Sequence, residues 1–116
     1  MVAAVDPQLV AFQMDVFWVY RAGVDPVALL KKYPGIWVSF HLKDLRKGAL
    51  RAPSPGVSPS SAPPTDKVVV GDGEIDFPAL LREADRQGVF LHFIEDESLA
   101  PVESIPQSRK YLQALP

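Results

Sequence analysis

The stretch "IWVSFHLKDLRKG", residues 36–48, decides how this chain is read. A short run of mostly apolar, β-prone residues ends on His41, with Lys43 and Asp44 close behind. Two other runs behave alike. "LVAFQMD" (9–15) ends on Asp15, and "VFLHFIE" (89–95) ends on Glu95. None alternates cleanly between apolar and polar, which fits strands covered on both faces, as in a parallel sheet with helices outside.

The segments between these runs carry helix signals. In "VDPVALLKKYPG" (24–35) Asp25 suits a cap, Pro26 the first turn, and Lys31 and Lys32 the C-terminal end, with Pro34-Gly35 as the stop. In "DFPALLREADRQG" (76–88) Asp76 is the cap, Pro78 lies in the first turn, Leu80, Leu81 and Ala84 form an apolar stripe, and Gly88 terminates. "PVESIPQSRKYLQAL" (101–115) reads as a last helix, with Pro106 marking a kink or a late start. The order is strand, helix, strand, helix, strand, helix, an α/β pattern. Asp15 and His41 are 26 positions apart, near the roughly 30 residues per unit of a (β/α)8 barrel of about 250 residues. The last two runs are farther apart because "GALRAPSPGVSPSSAPPTD" intervenes, a Pro/Ser-rich loop at about 48–66. Its composition buries little, so it reads as a mobile surface loop or a substrate lid.

Composition excludes several classes. The chain has 116 residues, a length typical of one domain, with 47% hydrophobic and 22% charged residues. A net charge of −2 provides no basic field for nucleic acid or anionic lipid. No stretch approaches the roughly 18 apolar residues of a membrane span. The N-terminus lacks the cationic region of a secretory signal. The absence of cysteine rules out disulfides, thiolate metal sites and cysteine nucleophiles, and fits a cytoplasmic setting.

Asp15, His41 and Glu95 share a position at the end of a strand, where barrels carry their active sites. If Asp15 points inward, so do Gln13 and Ala11; His41 goes with Ser39 and Trp37, and Glu95 with Phe93 and Leu91. Phe12, Met14, Val38, Phe40, Phe90 and Ile94 then pack under helices. Two carboxylates and an imidazole suit Mn, Mg, Co, Fe or Zn. Any single acid at a strand end is more often a cap or a surface charge. His92, on the other parity, reads as a packed, hydrogen-bonded histidine. "GDGE" (71–74) reads as a tight turn, and "EDE" (95–97) as a solvated acidic turn unless Glu95 is a ligand. Trp18 is either core or the apolar wall of a sugar pocket.

"MDVFWVYRAGVDPVALLKKYPG", "FHLKD", "VVVGDGEIDFPALLREADRQGV" and "FIEDES" together resemble the C-terminal part of the sugar phosphate isomerase/epimerase family, xylose isomerase-like TIM barrels. The resemblance implies a partial (β/α)8 barrel: its last three βα units, with parallel strands and outer helices, over residues 1–116. It implies metal ligands at Asp15, His41 and Glu95, with Glu95 also catalytic, and substrate contacts at Trp18, Lys43 and Asp44. The expected activity is metal-dependent isomerisation or epimerisation of a sugar or sugar phosphate through an enediolate, using a divalent ion (Mn, Mg, Co or Zn). The family's further metal-binding glutamate, on an earlier strand, has no counterpart here, and Ile94-Glu95-Asp96-Glu97 replaces its usual Val/Ile-Glu-Gln-Asp. The alternative is a non-catalytic interaction, assembly or metal-binding module, a homo-oligomer joined through open sheet edges.

Overall fold

A computed structural model describes residues 2–58 and 60–116. Strand β1 (Phe12–Asp15) leads directly into helix α1 (Val16–Arg21), and α2 (Pro26–Lys32) follows. Strand β2 (Trp37–Leu42) continues into the short β3 (Asp44–Leu45), which pairs antiparallel with β4 (Lys67–Val68). Helix α3 (Phe77–Gln87), strand β5 (Leu91–Ile94) and helix α4 (Pro101–Ala114) complete the chain. The main sheet has the order β1-β2-β5, all parallel.

Local chemistry explains most boundaries. Asp25 accepts the Val27 N–H at 2.9 Å and Asp76 the Ala79 N–H at 2.9 Å, so both helices start at carboxylate caps followed by proline. Gly88 takes φ +76° and returns its N–H to Ala84 and Asp85, closing α3. Met14, Phe40 and Leu42 turn toward the helices and are buried with Leu30, Phe77, Leu80 and Ala84.

Three local expectations change, and one element is added: helix α1 forms from "VFWVYR", a β-prone run, where the Asp15 carboxylate caps it. Around Val38 strict alternation fails: the β1–β2 register shifts between Phe12 and Gln13, Trp37 packs against the core, and Val38 is exposed. Phe90 is exposed because it precedes the paired part of β5. Pro106 lies inside α4, whose start at Pro101 excludes a late one.

Among its described residues, which leave out Pro59, the Pro/Ser-rich stretch has no helix or strand before the 3-10 turn Pro64–Asp66. It is fastened by Arg21, a buried residue at the end of α1. The guanidinium donates to the carbonyls of Leu50 and Ser61 at 2.9 Å each and reaches Asp66 at 3.3 Å. Arg46 takes the other Asp66 oxygen at 2.7 Å.

Helix α4 docks on the 69–71 turn. The buried Ser108 hydroxyl accepts the Val70 N–H at 3.0 Å, and the Tyr111 ring covers Gly71. Gly71 has φ +102°, and a Cβ there would lie 2.6 Å from the ring. Gly71→Ala is therefore expected to cost more than about 2 kcal/mol, from backbone strain and overpacking together. A lowered urea midpoint with an unchanged slope measures it.

Candidate metal centre

Register brings the three strand ends together. Asp15 lies beside His41 in the β1–β2 pair, and His41 beside Phe93 in the β2–β5 pair. The Glu95 N–H extends the second ladder to the Leu42 carbonyl at 3.2 Å. Below them Gln13 donates to the Ser39 hydroxyl at 2.9 Å, which confirms that these two share a face.

One donor atom each from Asp15, His41 and Glu95 falls within a mutual 4.8 Å. His41 Nδ1 is 2.8 Å from Glu95 Oε2 and 3.9 Å from Asp15 Oδ2. The Asp15 carboxylate is divided: Oδ1 accepts the Trp18 N–H at 3.1 Å and caps α1, while Oδ2 faces the other donors. Burial raises the Asp15 pKa, against the Trp18 N–H and the Lys43 charge, which lower it. The side chains are half-buried, so the centre is formed by the fold and remains open to solvent. Two carboxylate oxygens and an imidazole nitrogen this close together fit a hard or borderline divalent ion.

Lys43 enters the same centre. Its side chain is only 3% exposed, and Nζ lies 3.1 Å from Glu95 Oε2, 3.5 Å from Asp15 Oδ2 and 2.6 Å from Glu97 Oε2. Burial works against its charge, but these acids outweigh burial and raise its pKa. The ammonium also faces the rings of Phe17 and Trp18, at 5.7 and 5.8 Å from their centroids. Trp18 thus belongs both to the wall of the site and to the packing around Phe17 and Leu45.

Asp44 points elsewhere. It is fully buried, and its two oxygens accept the N–H groups of Leu45, Gly71, Gly73 and Ile75. Burial raises its pKa while those four donors pull it down. The carboxylate anchors the "GDGE" turn beneath β3 and does not reach the open strand ends, so the residue expected at the substrate sits in the scaffold.

The acidic turn after β5 is not merely solvated. Asp96 accepts the Ser98 N–H at 2.8 Å and the Ser104 hydroxyl, tying the turn to α4. Glu97 Oε2 binds Lys43 and, at 3.0 Å, Lys67. Together the lysines hold its pKa low. No sequence motif marks Lys67, which arrives through the two-residue β3–β4 ladder. His92 packs flat against Phe40, with ring centroids 5.4 Å apart, but its buried Nδ1 has no hydrogen-bond partner among the described residues. Burial lowers its pKa, and its pairing with Phe40 sets it on the face opposite His41, apart from the donor cluster.

No family model matches the sequence, and no curated protein matches it. Among solved structures, the chain is similar to a sugar phosphate isomerase/epimerase from Parabacteroides distasonis ATCC 8503, with a TM-score of 0.74 and 26% identity. The match covers 99% of this chain and 34% of that one, so the chain spans about a third of the length of the enzyme it matches. Its parallel three-stranded sheet and flanking helices thus match part of a TIM-barrel isomerase/epimerase fold, with Asp15, His41 and Glu95 gathered at the strand ends where such barrels keep their active sites.

Proposed function

We propose that the chain forms the metal-binding, C-terminal part of a barrel that isomerises or epimerises a sugar or sugar phosphate through an enediolate. The convergence of Asp15, His41 and Glu95 on one point carries this reading. A divalent ion held by these three would act as a Lewis acid on the carbonyl and neighbouring hydroxyl of a keto sugar. Glu95 takes the proton from the carbon next to the carbonyl: Oε2 lies among the donors, which leaves Oε1 for proton transfer. Lys43 Nζ, 3.1 Å from Glu95 Oε2, puts a positive charge at the donor cluster, where it would stabilise the developing enediolate. Trp18 provides an apolar wall, and Asp44 holds the turn that fixes β3 and so Lys43. Return of the proton to the opposite face, or to the neighbouring carbon, requires a second group from the remainder of the barrel.

Removal of one proton needs one base, so hydrogen exchange tests the proposal without the complete barrel. In D2O with Mn2+, the chain is expected to wash out the proton next to the carbonyl of a ketose or ketose phosphate, read by proton NMR. Glu95→Gln is expected to abolish the exchange. No exchange across a panel of ketoses with metal bound would contradict the catalytic role.

A second reading, assembly, is favoured by one observation. Leu91 and Phe93 are 55% and 45% exposed on the face that carries Ser39 and His41. Among the described residues, β1 and β5 each pair on one side only. Open edges beside an apolar face invite strand pairing, either between copies of this chain or with other barrel units. Light scattering is expected to show concentration-dependent association that weakens in Phe93→Gln; a monomer at all concentrations would contradict it.

A further inference from the structure

We propose that Lys67 and Lys43 form a subsite for the phosphate group of a sugar phosphate, and that Glu97 occupies it until the substrate arrives. This rests on the sugar-processing reading above and selects its phosphorylated substrates.

A single oxygen, Glu97 Oε2, serves both ammonium groups, at 2.6 Å from Lys43 and 3.0 Å from Lys67. Lys43 also meets Glu95 and Asp15, whereas Glu97 is the one carboxylate that Lys67 meets among the described residues, so Lys67 is the less fully paired of the two. Exposure separates the fixed partners from the movable one. The Lys43 and Lys67 side chains are 3% and 10% exposed, that of Glu97 43%. Each ammonium lies 5.8 Å from the centroid of the Trp18 ring, which helps hold both without neutralising either. The lysines are therefore positioned in advance, and the carboxylate on their solvent side leaves with little loss of packing.

A phosphate ester is the better occupant. It brings close to two negative charges and three acceptor oxygens, so Lys67 gains an oxygen it does not share while Lys43 keeps Glu95 and Asp15 beside it. Overall charge favours the exchange. Asp15, Glu95 and Glu97 outnumber the two lysines by one, and a divalent ion on the donor cluster turns that deficit into a surplus. The location also fits, because Lys43 reaches the subsite and the Glu95 and Asp15 oxygens with the same nitrogen. A phosphate held there keeps the sugar carbons of the same molecule beside Glu95.

Calorimetry on the Mn2+-loaded chain tests this with inorganic phosphate, fructose 6-phosphate and fructose as probes. The wild type is expected to bind inorganic phosphate, and fructose 6-phosphate about tenfold or more tighter than fructose. Lys67→Met keeps the aliphatic stem and is expected to erase that preference while Mn2+ affinity stays within about twofold. Glu97→Gln removes the resident anion and is expected to tighten phosphate binding severalfold. Equal affinity for the two sugars, no binding of inorganic phosphate, or a preference that survives Lys67→Met would overturn the proposal. Loss of Mn2+ binding by the wild type would instead defeat the metal reading, and a Lys67-dependent phosphate preference measured without metal would still support this one.

Discussion

Asp44→Ala is expected to remove a large part of the stability of the chain. The carboxylate accepts four backbone N–H groups, from Leu45 at 2.8 Å, Gly71 and Gly73 at 2.9 Å, and Ile75 at 3.2 Å. Gly71, Gly73 and Ile75 lie in the segment that joins β4 to α3, and Leu45 follows Asp44 on β3. Alanine leaves these donors without that acceptor, two of them buried (Leu45 and Ile75) and two half-buried (Gly71 and Gly73). Each unsatisfied buried donor costs about 1–3 kcal/mol, so a loss of about 4 kcal/mol or more is expected, against about 5–15 kcal/mol for a whole domain. Gly73 shows how tightly the turn is built: a Cβ there would collide with the Asp44 carboxylate and the Leu45 carbonyl. Asp44→Asn keeps the shape but turns an amide donor toward N–H groups, and is expected to recover only part of the loss. Urea unfolding followed by circular dichroism measures both. A loss below about 1 kcal/mol for Asp44→Ala would show that the turn does not depend on this carboxylate.

The second large effect concerns metal. His41→Ala is expected to weaken Mn2+, Co2+ or Zn2+ binding by about 100-fold or more, because it removes the only nitrogen of the donor set and the one on the central strand. The fold should tolerate it, since the His41 side chain is half-exposed and outside the core. Asp15 needs a gentler change. Its Oδ1 caps α1, so Asp15→Ala would lose the cap as well, worth about 0.5–2 kcal/mol. Asp15→Asn keeps an oxygen for the Trp18 N–H while removing the charge, and is expected to lower metal affinity with little change in melting temperature. Unchanged affinity in both variants would place the metal elsewhere.

What the sequence disclosed was local. The caps at Asp25 and Asp76, the terminating Gly88 and the three apolar runs ending on polar residues all follow from chemistry within a few positions, and the structure contains them. The meeting of Asp15, His41 and Glu95 was legible because parallel strands in register bring their C-terminal ends to one edge. Effects arising between distant segments were not. A register shift exchanged the environments of Trp37 and Val38, which period-2 alternation alone cannot anticipate. Helix α1 overrides the β-preference of its residues through one capping carboxylate. Asp44 stands out in "FHLKD", but its burial depends on a turn that begins 27 residues later. Lys67 joins Glu97 only because β4 returns across the long loop to pair with β3.

Crystals of the chain grown with Mn2+, with anomalous scattering recorded to locate the ion, give the most direct test. The expected result is a peak about 2 Å from Asp15 Oδ2, His41 Nδ1 and Glu95 Oε2 together, absent in His41→Ala. An ion bound away from these atoms, or one that persists in His41→Ala, would contradict the account.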